Sequence, residues 1–187
     1  MKSNHGSRRF TLRQQTSAAH ESLDQHIGLF SSPGDYSAYL VGMANFRSCV
    51  EPQLRDLPAS LDGWQPSLIG AALTEDMADL GIAVPIAALP ARLSLEGSGA
   101  FGTLYVLEGS ALGARLLYRR AQELGFTATF GARHLAQQSA SLDAWSGLLL
   151  RLEDAQPFEI DEAIAAANAT FAVARQAFEA RTRAAAA

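Results

Sequence analysis

Apolar residues recur at helical spacing along nearly the whole chain, and no run alternates between apolar and polar residues as a half-buried strand would. The pattern predicts six helices separated by polar, glycine or proline breaks: residues 11–28, 35–52, 67–80, 98–125, 141–154 and 160–182. Thr11 and Gln14 have the spacing of a capping box at the start of the first helix. Asp35 is expected to cap the second helix, and Gly125 to end the fourth. The pattern therefore predicts an all-α fold.

The domain organisation is simple, because the chain of 187 residues has the length of one domain and contains neither an internal repeat nor a linker. We expect a disordered tail over residues 1–9, a single domain over 10–182 and a frayed tail over 183–187. A domain of this length can bury a full hydrophobic core without disulfides.

Charge and composition exclude several classes of function. The net charge of −4 argues against nucleic acid or an anionic membrane as the main partner. The sequence has one cysteine, Cys49, which excludes an internal disulfide and a multi-cysteine metal site. No apolar run is long enough to span a bilayer, and residues 1–9 lack the apolar core of a signal peptide. These features predict a cytoplasmic protein.

Glycines inside the longest predicted helix are the first candidate for chemistry. Gly102, Gly109 and Gly113 are seven and four residues apart, which places them on one helical face. A glycine in a helix interior is about 1 kcal/mol less favourable than alanine, so a bare face needs a reason. Two explanations fit: close packing of another helix, or a flat ligand that lies against the backbone.

A polar stripe runs along the first predicted helix at spacings of three, four and four residues: Arg13, Thr16, His20 and Asp24. A carboxylate one turn from a histidine can hold one ring nitrogen and leave the other for a metal. The alternative is a surface histidine with an ordinary salt-bridge partner. Together, a single nitrogen ligand and a bare helix face are what a flat metallocycle held between two helices requires.

Two segments carry a resemblance to a known family. Residues 12–24 resemble the proximal helix of haem oxygenases, and residues 105–113 resemble the distal helix of the bacterial branch. Residues 131–135 and Trp145 also suit that branch, and the resemblance extends from about residue 10 to 180. It implies a single-domain, haem-oxygenase-like helical bundle with haem held between the proximal and distal helices.

The resemblance implies roles for individual residues. His20 matches the axial ligand of the haem iron, and Asp24 an acidic residue that supports it. Gly109 and Gly113 match the distal glycines that let haem approach the helix. Arg13, Tyr105 and Arg120 match positions that contact the haem propionates. Phe171 matches an aromatic position of the last helix that forms the wall of the pocket. Thr16, on the same stripe as His20, is also expected to contact haem.

One position departs from the mammalian pattern. Mammalian relatives carry an aspartate after the first distal glycine, where it orders a chain of water molecules. This sequence has Ser110 there, as do bacterial relatives of the Glu-Gly-Ser type. The proton route must then use water held by Ser110, backbone carbonyls or another polar group. Glu108 is expected to be structural, with Arg115 as a candidate partner.

The implied reaction is the cleavage of haem by O2 and electrons to biliverdin, carbon monoxide and Fe2+. The chain has no glycine-rich phosphate loop after a strand, so the electrons are expected from an external electron donor, a ferredoxin or a flavoprotein reductase. Arg13, Arg119 and Arg120 are candidates for its docking site. The product could supply a bacteriophytochrome with biliverdin, or the reaction could release iron.

Three alternatives stay open at this point. A haem carrier or sensor would share His20 and the glycine face without turnover. A thiaminase-type hydrolase of similar fold would need Cys49 as its nucleophile, although a buried inert thiol is the simpler interpretation. A helical interaction module would bind no coloured ligand at all.

Overall fold

A computed structural model describes residues 7–28, 30–57, 61, 63–83 and 92–184 of the chain. Within these residues the α-helices are, in chain order, α1 (Arg8–Gln15), α2 (Ser17–Ile27), α3 (Pro33–Val50), α4 (Gly70–Asp79), α5 (Gly97–Glu123), α6 (Arg133–Ala140), α7 (Leu142–Asp154) and α8 (Ile160–Ala184). A 3₁₀ helix, Glu51–Asp56, follows α3 directly. The described part of the chain contains no named strand, so the prediction of an all-α fold is confirmed.

The first predicted helix is two helices in the structure, because the backbone at Thr16 is not helical. Thr16 has φ −110° and ψ 1°, and it separates α1 from α2. Its hydroxyl donates to the carbonyl of Leu12 at 2.8 Å, a contact of the kind that bends helices. The polar stripe is therefore interrupted at Thr16, whose side chain is buried rather than exposed beside His20.

The chain enters α1 earlier than expected, so Thr11 does not cap this helix. Ser7 precedes α1, and its hydroxyl donates to the Glu153 carboxylate of α7 at 2.6 Å. The backbone N–H groups of Arg8 and Arg9 donate to the same carboxylate. Arg8 and Arg9 thus belong to the helical domain rather than to a tail over residues 1–9. Residues 1–6 and 185–187 lie outside the described residues.

The bounds of the next helices agree with the prediction in part. Ser32, not Asp35, caps α3: its hydroxyl accepts the Asp35 N–H at 3.1 Å, while the Asp35 carboxylate accepts from Ser31. The fourth predicted helix ends as expected, since Gly125 has φ +91° just after α5. The short helix α6 was not predicted. The third predicted helix, residues 67–80, is shorter in the structure, where α4 covers Gly70–Asp79.

Helix α8 organises the core. It packs against α5, α3, α2 and α1, and its inward face carries buried alanines together with Phe171 and Phe178. Helices α2 and α5 both use α8 as their main partner rather than each other. The two segments of interest are therefore held on a common support. In the ranges that the structure describes, no helix is both long and apolar enough to cross a membrane.

Candidate functional site

His20 and Asp24 form an exposed pair one turn apart on α2. The His20 Nδ1 atom lies 3.0 Å from Asp24 Oδ2, and both side chains are 62% exposed. The Phe171 ring of α8 meets the imidazole edge-on, with ring centroids 5.7 Å apart. Since Asp24 holds Nδ1, Nε2 is the ring nitrogen that remains for a ligand.

The glycines of α5 have two different surroundings. A Cβ on Gly102 would lie 1.9 Å from the carbonyl oxygen of Ala163 in α8, so Gly102 serves close helix packing. Of the two explanations for the bare helix face, close packing of another helix is the one that applies to Gly102. A Cβ on Gly109 would meet the Trp145 ring at an ordinary 3.6 Å, and one on Gly113 would have no neighbouring atom within 4 Å.

The open stretch of α5 around Gly113 is also apolar. Leu112 and Leu116 are 52% and 46% exposed, although leucine is one of the residues most often buried in folded proteins. Together, Gly109, Leu112, Gly113 and Leu116 give a surface that has backbone within reach and no charged side chain. A flat, apolar ligand suits such a surface.

Two arginines of α1 exert their positive charge on Tyr105 of α5, and this part of the molecule is the cationic end of the site. Burial raises the pKa of Tyr105 above its usual value, and the positive charges of Arg9 and Arg13 act in the opposite direction. The Tyr105 ring packs on Trp145 at 5.3 Å, and the Arg9 guanidinium lies 5.8 Å from the Trp145 ring. Guanidinium groups together with a phenol can hold carboxylates.

Two of the predicted contacts are elsewhere. Arg120 is fifteen positions after Tyr105, which is about 22 Å along an unbroken helix. Its guanidinium lies 3.1 Å from the Glu123 carboxylate, so it does not join Arg13 and Tyr105. The Thr16 hydroxyl is buried against Leu12 and is not part of an exposed haem-facing stripe.

Ser110 is held by residues that the sequence did not identify. Its hydroxyl donates to the carbonyl of Leu107 at 2.6 Å and accepts the amide of Gln138 at 2.8 Å. Arg47 Nη2 is 3.4 Å from the same oxygen. Arg47 is fully buried in the apolar helix α3, and a lone arginine among apolar residues was a signal that could have been used. Gln138 lies on the unpredicted α6.

Glu108 is structural, as expected, but its partner is different. Its carboxylate is buried and accepts both the backbone N–H of Ser67 at 2.7 Å and the Ser67 hydroxyl at 3.0 Å. Burial raises the pKa of Glu108 despite these hydrogen bonds. Arg115 instead donates to the carbonyl of Ser139.

The donor set distinguishes a bare metal ion from a metallocycle. Among the described residues, no group of three or more His, Cys, Asp or Glu side chains could hold a metal ion. His20 with one supporting carboxylate supplies a single nitrogen, which is what a porphyrin iron takes from a proximal histidine. The residues present therefore fit haem and do not fit a free metal.

Neither of two cavities in the structure encloses this surface: the first lies apart from it, and the second includes only Phe171 of the predicted site residues. One of about 840 Å³ lies between α3, the 3₁₀ helix and α4, and none of the predicted site residues lines it. The other, between α2 and α8 beside Phe171, is about 130 Å³ and is smaller than ordinary ligand pockets. The open α2 and α5 surfaces remain the candidate site.

Similarity to known proteins agrees with this geometry. No protein-family model matches the chain. The chain is 31% identical over 159 residues to the protein named heme oxygenase PigA of Pseudomonas aeruginosa, which covers 83% of this chain and 80% of PigA. The crystal structure of NO- and CO-bound heme oxygenase from Neisseria meningitidis superposes with a TM-score of 0.70 at 28% identity, covering 94% of each chain. The chain therefore belongs to the haem oxygenase family.

Proposed function

We propose that this protein is a haem oxygenase, which uses dioxygen and electrons to open haem to biliverdin, carbon monoxide and ferrous iron. The observation that supports this most directly is His20, an exposed histidine whose Nδ1 lies 3.0 Å from Asp24, so that Nε2 is left for the haem iron. Membership of the family supports the proposal independently.

When bound, haem supplies the redox-active iron and is itself the molecule that is oxidised. His20 binds the iron, and Asp24 fixes the tautomer and orientation of the imidazole. The edge of Phe171 against the His20 ring restricts its rotation. This part of the site determines how haem is held on the α2 side.

The α5 side determines what lies over the other face of the ring. Gly109 and Gly113 let the macrocycle approach the helix backbone, and Ser110 is the polar group beside them. Arg13 and Tyr105 bind the haem propionates at the cationic end of the site. Arg120, further along α5, contacts haem only if its ion pair with Glu123 opens.

The electrons come from a separate protein, a ferredoxin or a flavoprotein reductase, and exposed arginines on α1 and α5 form the docking surface. We expect Arg119→Glu to raise the KM for an acidic ferredoxin roughly threefold to tenfold at low salt, because it replaces an attraction with a repulsion. Turnover with ascorbate should be unchanged. An equal KM for the variant and the wild type at low salt would exclude Arg119 from the docking surface.

The physiological setting is a second part of the proposal. We infer a cytoplasmic enzyme whose biliverdin serves as the chromophore of a bacteriophytochrome, with iron release as the other purpose. The resemblance to the bacterial branch supports this choice. Measuring whether the product, without added biliverdin, converts an apo-phytochrome to its photoactive form tests it.

The experiment that tests the main proposal is an optical titration with hemin, followed by ascorbate or a ferredoxin reductase system under air. A Soret band that decays into biliverdin absorbance is the expected result. A stable Soret band without biliverdin would identify a haem carrier or sensor instead. Absence of a Soret band would reject haem as the ligand.

Gly113 offers a test of the α5 assignment that separates stability from binding. Because no atom lies within 4 Å of a Cβ at this position, we expect Gly113→Leu to fold and to raise the free energy of unfolding by up to about 1 kcal/mol. The added side chain would occupy the haem surface, so hemin binding should be lost or cleavage diverted. Urea denaturation and hemin titration measure the two effects.

The contrasting variant is Gly102→Ala, whose added Cβ would fall 1.9 Å from the Ala163 carbonyl oxygen. It should destabilise the fold through the α5–α8 contact. If Gly113→Leu bound hemin and produced biliverdin like the wild type, α5 around Gly113 would not be the haem surface.

A further inference from the structure

The Ser110 hydroxyl has its acceptor positions filled from two other helices. Gln138 of α6 donates its amide N–H to Ser110 Oγ at 2.8 Å, and Arg47 of α3 approaches the same oxygen at 3.4 Å. A serine hydroxyl has one proton and two acceptor positions. With both acceptor positions occupied by N–H groups, the oxygen can take part in a further hydrogen bond only as a donor.

We infer that Gln138 and Arg47 are positioning residues that make Ser110 an obligate hydrogen-bond donor to an acceptor bound beside the glycine stretch of α5. In the absence of a ligand the Ser110 proton goes to the Leu107 carbonyl at 2.6 Å, an acceptor within its own helix. A bound acceptor would compete with that carbonyl for the proton. This inference rests on the proposed function, because the acceptor is a ligand of the haem iron.

The group that approaches Ser110 from α3 is a buried arginine with hydrogen-bond donors to spare, although its Nη2 also lies 3.5 Å from the Leu107 carbonyl. Arg47 is 2% exposed and carries five N–H groups, yet its Nε and Nη1 have no hydrogen-bond partner among the described residues. Its charge is balanced by Glu51, at 3.7 Å from Nη1. Gln138 is 3% exposed. A buried group with spare donors favours the arrival of an acceptor, because an unmade hydrogen bond is costly there.

Fluoride is the probe that tests this arrangement, since it binds ferric haem and accepts hydrogen bonds but cannot donate them. We expect Ser110→Ala and Gln138→Leu each to lower the fluoride affinity of the ferric haem complex about tenfold, the effect of losing or misdirecting one hydrogen bond to a charged acceptor. The charge-transfer band of the fluoride complex should shift in the same direction in both variants.

Gln137→Leu is the matched control, because the Gln137 amide donates to the Leu68 carbonyl on another part of the surface. It should leave the fluoride affinity and the band unchanged. Arg47→Met should lower the affinity, and Arg47→Lys should restore part of it. Should the Arg47 variants fail to fold, the Gln138 comparison still decides the question.

The outcomes separate the inference from the proposed function. If Ser110→Ala lowers the fluoride affinity and Gln138→Leu does not, Gln138 does not position the hydroxyl and the inference is overturned. If neither variant changes the affinity, Ser110 does not reach the ligand. If wild-type protein gives no Soret band with hemin, before any fluoride is added, the proposed function fails and the inference with it.

Discussion

Replacing His20 with alanine should abolish biliverdin formation and lower the affinity for hemin by more than roughly 100-fold, since even the loss of a group that only supports a metal-bound histidine costs about 10- to 100-fold. His20 is the residue on which the proposed function depends most. Hemin titration and single-turnover spectra measure the two effects.

His26→Ala is the matched control on the same helix. His26 Nδ1 lies 2.7 Å from the Ser22 carbonyl, and Nε2 lies 3.4 Å from the Glu179 carboxylate, so its ring is engaged away from the His20–Asp24 pair. This variant should bind hemin like the wild type. Imidazole added to His20→Ala should restore part of the Soret spectrum. A His20→Ala protein that still forms biliverdin would show that the iron ligand is another residue.

The fold and the two main helices of the site follow from local pattern, which is why the sequence predicts them. Helical spacing of apolar residues identifies the long helices, and the break at Gly125 depends only on backbone conformation. His20 and Asp24 lie one turn apart on one helix, so their contact at 3.0 Å is also a local property. Features of this kind need no knowledge of what packs against them.

Features that depend on how helices pack against one another could not be predicted from the sequence. Gly102 and Gly113 share a helical face, yet α8 covers the first and leaves the second open. Thr16 has the spacing of an exposed residue, but its side chain is buried and its hydroxyl donates to the Leu12 carbonyl, where α1 ends and α2 begins. The periodicity gives the face of a residue and says nothing about the element that meets this face.

The polar contacts of Ser110 also depend on packing between helices and could not be predicted from the sequence. They join three helices, and one of them, α6, is too short to give a clear periodic pattern. The Glu108 carboxylate binds Ser67, which precedes α4, rather than a residue one or two turns away on α5. Long-range hydrogen bonds of buried polar groups are set by tertiary packing, so a single sequence does not reveal them.

The largest effect on stability is expected from Asp76→Ala, which should lower the free energy of unfolding by about 3–5 kcal/mol, the usual result of removing one partner of a buried charged network. Asp76 is completely buried on α4, and its carboxylate accepts the first backbone N–H groups of α6, from Arg133 at 2.9 Å and His134 at 3.0 Å. His134 Nδ1 lies 2.7 Å from the same carboxylate. Alanine would leave these donors buried without an acceptor.

The pH dependence of stability should change in the same variant. Burial alone would raise the pKa of Asp76, but the hydrogen bonds from His134 and Arg133 outweigh it and hold the pKa below its usual value of 3.8. A carboxyl whose pKa is lowered by folding stabilises the protein above its unfolded pKa, and this stabilisation is lost as the pH falls through the folded value. The wild type should therefore lose more stability than Asp76→Ala when the pH is lowered below about 4.

Glu75→Gln is the control, because Glu75 precedes Asp76 on α4 and also pairs with Arg133, at 3.1 Å, but is 64% exposed. An exposed ion pair contributes at most about 1 kcal/mol, so this variant should unfold close to the wild-type urea concentration. Asp76 also anchors the start of α6, the helix that carries Gln138, so Asp76→Ala should weaken fluoride binding to the haem complex as well as stability. If Asp76→Ala and Glu75→Gln unfolded at the same urea concentration, the buried carboxylate would not be what holds α6 against α4.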